Sequence, residues 1–140
     1  MNVAFFLLPK SEVACMTMDA TLRQTLERME FHRYTAVPLL NEVGEYVGTV
    51  TEGDLLWFMK NTAGMSFDQT SRYSLSEVPL RLKNKAVHID ARMEDLILLA
   101  KSQNFVPVVD DMNKFIGIVR RSDIIDYCRK LLLADIEAGS

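Results

Sequence analysis

One short run of the sequence places a glycine, a threonine and an aspartate at regular spacing, where a strand should end and a helix should begin. The run extends from Gly48 to Asp54 and has Thr51 at its centre. At a helix start, the Thr51 hydroxyl and free backbone N–H groups can contact a phosphate, and the Asp54 carboxylate can accept hydrogen bonds from ligand hydroxyls. The same spacing is close to an N-terminal capping box, which satisfies backbone amides without any ligand. The residues alone leave a ligand site and a helix cap as alternatives.

A second run, from Gly117 to Asp123, has the same spacing but carries Arg120 where the first run has threonine. A hydroxyl cap is thereby lost. The guanidinium group has a fork of donors that matches a phosphate, so Arg120 or Arg121 can bind one. Two cations at a helix start otherwise oppose the helix dipole. The alternatives are a phosphate contact, salt bridges to Asp or Glu, and a solvated pair of arginines.

The other residues with catalytic or metal-binding chemistry show no useful spacing. His32 and His88 occupy non-equivalent positions, and the sequence contains no HExxH, P-loop, GxGxxG or GxSxG motif. We therefore predict no catalytic residues, no metal site and no required cofactor. Cys15 and Cys128 form no CxxC pair, which indicates reduced thiols and a cytoplasmic protein.

The composition is that of a soluble globular protein with one folding unit. Of the 140 residues, 49% are hydrophobic and 25% are charged, which excludes the disordered and fibrous classes. The formal net charge of -3 gives no basic field, so we predict no direct nucleic-acid or membrane-surface binding. The apolar start, Val3 to Leu8, lacks a basic n-region, is too short to span a bilayer and stops at Pro9. We predict neither a signal peptide nor a membrane helix.

An internal repeat organises the chain. The stretch Val37-Pro38-Leu39-Leu40 recurs 69 positions later as Val106-Pro107-Val108-Val109, and the two Gly-to-Asp runs keep the same separation. Upstream, Asp19-Ala20 corresponds to Asp90-Ala91 at a separation of 71, so the second copy has lost two residues before its Val-Pro pair. Self-similarity over this length predicts two copies of one supersecondary unit.

Each copy has the pattern strand, helix, strand, strand, helix, which predicts an α/β (α+β) fold. Asp19 or Thr21 can cap the first helix. The predicted helices are 19–33, 52–60, 93–102 and 122–134, and the predicted strands are 36–40, 46–50, 106–109 and 115–119. The predicted division is 1–61 for the first copy with an N-terminal segment, 62–80 for a linker, and 81–140 for the second copy with its C-terminal helix.

These stretches resemble the cystathionine-β-synthase-type (CBS) domain pair, or Bateman module, over about residues 10 to 134. The residues that carry the resemblance are 19–22, 37–40 and 44–56 and their second copies. The resemblance implies two β-α-β-β-α repeats packed with pseudo-two-fold symmetry, with two clefts between them that commonly hold adenine nucleotides. It also implies a homodimer.

In nucleotide-binding members of that family, a Gly-x-x-(Ser/Thr)-x-x-Asp run contacts ribose and phosphate. The first strand and the residues around the Val-Pro pair hold adenine. By resemblance, the ribose and phosphate residues are Thr51, Asp54, Arg120, Arg121 and Asp123. The adenine residues, by the same resemblance, are Ser11, Glu12, Val13, Ala36, Pro38, Asn84, Lys85, Ala86, Phe105 and Pro107.

The sequence therefore predicts a regulatory or sensor module, not an enzyme. It would bind an adenine nucleotide (AMP, ADP, ATP or a relative such as cyclic di-AMP) in the inter-repeat cleft and signal to an unidentified protein partner. The arginine pair favours a phosphorylated nucleotide over S-adenosylmethionine. The alternative is a ligand-independent protein-interaction module that docks through an apolar helical face. A third alternative, transcriptional control, requires a partner that supplies the DNA-binding domain.

Overall fold

Seven β-strands and three α-helices follow one another along residues 1–139, the part of the chain that the computed structural model describes. The mixed α/β class is thereby confirmed. The chain divides into a first unit, Ala14–Lys83, and a second unit, Met1–Val13 with residues 84–139. The strands are β1 (Leu8–Pro9), β2 (Met16–Thr17), β3 (Ala36–Leu40), β4 (Tyr46–Thr51), β5 (Val87–His88), β6 (Phe105–Val109) and β7 (Phe115–Arg120), and the helices are α1 (Leu22–His32), α2 (Glu52–Asn61) and α3 (Arg121–Gly139).

The first unit has a three-stranded sheet in the order β2-β3-β4. β2 is parallel to β3, with α1 as the crossover, and β3 is antiparallel to β4. Residues of the sheet and of both helices share one buried core, which includes Leu22, Met29, Val37, Val50 and Leu55. The predicted order of elements is present in this unit.

The segment predicted as a linker, residues 62–80, is packed into the first unit. It contains two short 3-10 helices, Phe67–Arg72 and Leu75–Glu77. Leu75 and Val78 are buried in the same core as the sheet residues. The segment is thus structured, although its polar composition indicated mostly linker.

The second unit has a four-stranded sheet in the order β1-β7-β6-β5. β1 is antiparallel to β7, with Pro9 opposite Gly117. A Cβ atom at Gly117 would lie 2.3 Å from the carbonyl oxygen of Leu8, so only glycine allows this approach. The sequence grouped residues 1–13 with the first copy of the repeat, but in the structure they lie in the unit that contains the second copy.

The prediction of one helix over 93–102 is wrong. The structure has two 3-10 helices there, Met93–Leu96 and Leu99–Lys101. The second copy has two residues fewer between its first two strands, and a 3-10 helix rises about 2.0 Å per residue against about 1.5 Å for an α-helix. The tighter helix therefore covers a similar distance with fewer residues.

The C-terminal helix is longer than predicted, since α3 continues to Gly139 where the sequence pattern indicated an end near Ala134. Its first turns contribute Ile124 and Tyr127 to the core of the second unit. Among residues 1–139, no helix combines the length and the apolar composition that crossing a membrane requires.

Candidate functional site

The first predicted motif lies where β4 ends and α2 begins. Thr51 is the N-cap residue of α2, and its hydroxyl oxygen accepts a hydrogen bond from the backbone N–H of Asp54 at 3.2 Å. In return, Asp54 Oδ2 accepts the backbone N–H of Thr51 at 3.0 Å. The capping box, one of the two sequence alternatives, is therefore present.

The cap uses only one oxygen of the Asp54 carboxylate. Asp54 is 3% exposed, and its Oδ1 atom is fully buried without a hydrogen-bond partner in residues 1–139. Buried polar atoms are normally satisfied, because desolvation without a partner costs free energy. The cap alone therefore does not account for the whole carboxylate.

Beside this junction, residues 80–82 lie along β4, and Leu82 forms an isolated antiparallel bridge with Thr49. The backbone N–H of Thr49 donates to the carbonyl oxygen of Leu82 at 2.9 Å. A Cβ atom at Gly48 would lie 2.8 Å from Leu80 Cδ1 and 3.4 Å from the Leu82 carbonyl oxygen. The absence of a side chain at Gly48 therefore lets residues 80–82 lie close to β4.

This segment, residues 80–82, contains Arg81, a cation that the sequence pattern did not predict near the site. The Arg81 guanidinium lies 5.7 Å from the centre of the Trp57 ring, and Lys60 Nζ lies 5.4 Å from the same centre. Trp57 is one helical turn beyond Asp54. Local sequence spacing does not reveal Arg81. Its segment is held by the hydrogen bond from the Thr49 N–H to the Leu82 carbonyl oxygen, and these two residues lie more than 30 positions apart.

The second motif forms a salt bridge within itself. Arg120 Nε donates to Asp123 Oδ2 at 3.0 Å, and Arg120 Nη2 donates to Asp123 Oδ1 at 3.2 Å. The backbone N–H of Arg120 also donates to Asp123 Oδ2 at 3.2 Å. Both carboxylate oxygens therefore have donors, in contrast to Asp54. Among the sequence alternatives for Arg120, the structure contains the salt bridge.

Gln103, another residue that the sequence analysis missed, joins the predicted adenine residues of the second copy. Its side chain is buried, and Nε2 donates to the carbonyl oxygens of Lys85 at 3.1 Å and Phe105 at 3.2 Å. Its Oε1 atom accepts the backbone N–H of Lys85 at 2.9 Å. Asn84 Nδ2 also donates to Phe105, and Arg121 Nε donates to the Gln103 carbonyl oxygen at 3.1 Å. Arg121 thus lies with the adenine set.

In the first copy, the expected position of the first strand requires correction. Ser11 and Glu12 are exposed in a 3-10 helix, Lys10–Glu12, and Val13 follows it. All three belong to the second unit, whereas the first strand of the first copy is β2. A buried strand needs an apolar run, and Lys10, Ser11 and Glu12 interrupt the apolar pattern there.

The remaining predicted adenine residues lie on the paired strands or beside them. Ala36 is directly opposite Thr51 in the β3–β4 pair, and Pro38 is opposite Thr49. Pro107 is buried in β6, and half-buried Ala86 precedes β5. The structure therefore brings Ala36 next to the Thr51 cap, as a shared site requires.

Three side chains with metal-ligand chemistry meet at the surface of the second unit. His88, Asp90 and Asp111 place ligand atoms within 4.8 Å of one another. His88 Nε2 lies 2.6 Å from Asp111 Oδ1, and His88 Nδ1 accepts the backbone N–H of Asp90 at 3.1 Å. The ring nitrogens are thus engaged by these neighbours. No local spacing marks Asp111, since it lies 23 positions from His88.

One carboxylate of the second unit has a strongly shifted pKa. The hydroxyl of Tyr127 donates to Glu94 Oε1, and this hydrogen bond is the largest of the causes that lower the pKa of Glu94 from its ordinary value of 4.5 to about 2. The Met1 amino group, 3.4 Å away, acts in the same direction. The same hydrogen bond raises the pKa of Tyr127. This pair fastens α3 to the 3-10 helix Met93–Leu96 and is a structural contact.

Two copies of one strand–helix–strand–strand–helix unit, with 3-10 helices as the first helical element of the second copy, each have an aspartate at a strand-to-helix junction and define a tandem-repeat protein of the α/β class. The CBS domain family matches the chain twice, over residues 7–61 and 76–130. The chain therefore belongs to the CBS domain family.

A curated relative and several solved structures are similar to this chain. The uncharacterised protein MK0525 of Methanopyrus kandleri is 27% identical over 110 residues, which cover 79% of this chain and 54% of that protein. This chain thus spans about half the length of the curated relative. The solved structure of CbpB in complex with c-di-AMP has a TM-score of 0.83 and 19% identity, covering 99% of this chain and 91% of that one. The structure of CBSX2 in complex with AMP has a TM-score of 0.71 and 22% identity, covering 93% and 97%. At this identity the likeness shows the fold.

Proposed function

We propose that this chain is a regulatory module that binds an adenine nucleotide at the junction of β4 and α2. One observation carries the proposal: Asp54 Oδ1 is buried and lacks a donor, while Oδ2 is already used by the cap. A ribose presents two adjacent hydroxyl groups, which are the donors that a carboxylate at a helix start can bind. The choice of adenine is supported by CbpB and CBSX2, whose structures contain c-di-AMP and AMP.

A phosphate bound at this junction would need cations beside it. Glu52 and Asp54 already place two carboxylates in the first turn of α2, where they balance the positive end of the helix dipole. A phosphate there needs further positive charge, and the two cations on the Trp57 ring, Arg81 and Lys60, lie one turn away. We therefore assign the phosphate to the Thr51 hydroxyl and Arg81.

The base would contact the strand beside the cap. Ala36 lies opposite Thr51, and Pro38 lies two residues further along β3. Met16 of β2 pairs with Leu39, and Val87 of β5 pairs with Val108, which is the repeat equivalent of Leu39. Met16 is therefore equivalent to Val87, and two residues earlier Ala14 is equivalent to Lys85. The backbone of Ala14, together with Ala36 and Pro38, is therefore our proposed adenine contact in the first copy.

The output of this module would be a change in its own assembly or in a protein partner. Leu56 on α2 is 58% exposed and Ile125 on α3 is 57% exposed. Large apolar side chains at such exposure favour a protein interface. We propose a homodimer that uses these helices. Sedimentation of wild-type protein and of Leu56→Asp should then show a dimer and a monomer, respectively, and two identical profiles would contradict this assembly.

A second candidate, a ligand-independent interaction module, is favoured by one observation. The second half of α3 exposes large apolar residues that leave the core of the second unit: Leu131, Leu132, Leu133 and Ile136. Such an exposed apolar surface suits a partner helix or groove. On this alternative, binding of a protein would not require any nucleotide.

A thermal-shift screen followed by calorimetry separates the two candidates. AMP, ADP, ATP, NAD, S-adenosylmethionine and cyclic di-AMP would be compared, because a ligand of the native state raises the melting temperature. Asp54→Ala should weaken binding by about 1 to 3 kcal/mol through the lost hydrogen bonds to a charged acceptor.

The matched control is Asp95→Ala, because Asp95 Oδ2 makes the same type of bond, to the backbone N–H of Arg92, at 3.1 Å. It should bind the nucleotide as the wild-type protein does. If no adenine compound shifts the melting temperature at millimolar concentration, the interaction module becomes the better proposal.

A further inference from the structure

In the second unit, one side chain satisfies both hydrogen-bonding groups of one peptide residue. Gln103 accepts the backbone N–H of Lys85 and donates to the carbonyl oxygen of the same residue, at 2.9 and 3.1 Å. Its orientation is fixed by a third bond, from Nε2 to the carbonyl oxygen of Phe105 at 3.2 Å. A flipped amide would place its oxygen against two carbonyl oxygens and its nitrogen against an N–H group.

This pair of bonds has the pattern of a nucleobase edge. A carboxamide presents an acceptor and a donor side by side in one plane. The edge of adenine presents the same pair, the N1 acceptor and the N6 amino donor, at a similar separation. The peptide of Lys85 thus has the donor and acceptor that a base would use, and Gln103 already occupies both.

The corresponding position of the first copy is different. The backbone N–H of Arg121 donates to Asn104, and the backbone N–H of Glu52 donates to Thr35, both at 3.0 Å. Gln103 and Tyr34 each precede the accepting residue, so they are equivalent. The Tyr34 side chain is 39% exposed and stacks on the His32 ring with 5.2 Å between ring centres. It offers no carboxamide.

The aspartates of the two copies also differ in whether both carboxylate oxygens have a hydrogen-bond donor. Asp54 in the first copy has a buried oxygen without a donor. In the second copy, Arg120 donates to both oxygens of Asp123. The groups suited to a base and to a ribose are therefore both satisfied internally in the second copy.

We propose that the Gln103 carboxamide occupies the nucleobase position of the second copy, so that the chain binds its nucleotide at the first copy alone. This inference rests on the proposed function for the choice of an adenine nucleotide. Arg120 reinforces the closure at the neighbouring carboxylate. Nucleotide binding by this chain is thus one per protomer, although the repeat occurs twice.

The wild-type protein provides the first test, by NMR titration with AMP. The backbone amide signals of Thr51 and Asp54 should move, whereas the Lys85 amide and the Gln103 side-chain amide should not. Movement of the Lys85 and Gln103 signals in the wild-type protein would overturn the proposal. This measurement uses only the wild-type protein, so its result does not depend on whether a variant folds.

Gln103→Ala should open the second copy. Without ligand, the Lys85 amide proton should exchange about tenfold or more faster than in the wild-type protein, because its acceptor is gone. With millimolar AMP, the Lys85 signal should now move together with that of Thr51. Gln103→Glu keeps the acceptor of the Lys85 N–H but places an oxygen against two carbonyl oxygens, so the Lys85 signal should again move with AMP. Gln69→Ala, in the first unit, is the matched control and should behave as wild type.

The outcomes separate the two proposals. If Thr51 responds to AMP in Gln103→Ala while Lys85 does not, Gln103 is only a structural residue and this inference is wrong, although the proposed function stands. If neither signal responds in either protein, the proposed function fails and this inference fails with it.

Discussion

Thr51 and Thr21 begin α2 and α1 with the same reciprocal pair of hydrogen bonds. Each hydroxyl accepts the backbone N–H of the residue three positions on, and the side chain of that residue accepts the threonine N–H. The partner is Gln24 for Thr21 and Asp54 for Thr51. Only the second pair contains a fully buried oxygen without a donor among residues 1–139. The two caps therefore make the same pair of hydrogen bonds but differ in whether a carboxylate oxygen is left for a ligand.

Thr51→Ala and Thr21→Ala should consequently affect stability alike and binding differently. Each should lower the free energy of unfolding by about 1 kcal/mol, the usual value of an N-cap side chain. Thr51→Ala should also weaken AMP binding roughly tenfold, because its hydroxyl is our proposed phosphate contact. Urea unfolding and calorimetry provide the two measurements. An equal loss of affinity in both variants would show that the cap acts only through the stability of its unit.

Much of the fold follows from local sequence pattern. The β-rich runs around Pro38 and Pro107 each precede a polar turn, and their separation of 69 residues recurs in the Gly-to-Asp runs. This pattern correctly predicted both hairpins, β3–β4 and β6–β7, and the starts of α2 and α3 to within one residue. The short strands were not predictable in this way. β1 has two residues, and it forms because Gly117 leaves room for its carbonyl oxygen.

The candidate site likewise contains residues that local spacing predicts and residues that it does not predict. Thr51 and Asp54 were identifiable because their contact spans three residues, which the spacing reveals. Gln103 was not identifiable, because its bonds reach Lys85, 18 positions earlier, and no periodicity connects them. The same holds for Arg81, which approaches Trp57 only through the fold of the first unit. Residues joined by tertiary contacts leave no local pattern.

Arg120→Ala should have a small effect on stability and none on AMP binding at the first copy. Its salt bridge is half exposed on the arginine side, at 53%, and such pairs contribute about 0 to 1 kcal/mol. A phosphate role for Arg120, which the sequence allowed, requires AMP binding to fall more than adenosine binding. Calorimetry with both ligands decides between these roles. Glu27→Ala, which breaks the Arg23–Glu27 pair but keeps Arg23 over the Phe67 ring, is the stability control.

The Glu94–Tyr127 pair predicts a defined pH dependence of stability. The pKa of Glu94 is about 2 in the folded protein and 4.5 ordinarily, so the unfolded chain takes up the proton first as the pH falls. The stabilisation is complete above pH 4.5 and is lost as the pH falls toward 2. Tyr127→Phe removes the largest cause of the shift. Its melting temperature should therefore lie furthest below that of the wild-type protein above pH 4.5.

As the pH approaches 2, the difference between Tyr127→Phe and wild type should shrink to a constant offset from the lost hydroxyl group. Tyr73→Phe, at a ring that packs on Phe58 in the first unit, should show a difference that does not vary with pH in this way. Melting curves at several pH values between 2 and 7 test this. Parallel curves for wild type and Tyr127→Phe would contradict the assignment.

Gly117→Ala should detach β1 from the second unit. The new Cβ atom would lie 2.3 Å from the Leu8 carbonyl oxygen and 2.8 Å from Leu7 Cδ1, and a backbone oxygen cannot move aside as a flexible side chain can. We expect a loss of about 1 to 3 kcal/mol in the free energy of unfolding, as in other overpacked sites, with faster proteolysis of residues 1–13. Gly139→Ala, with open space around the new atom, should change stability by less than about 0.5 kcal/mol. If Gly117→Ala keeps both its stability and its protease resistance, β1 does not hold the N-terminal segment on β7.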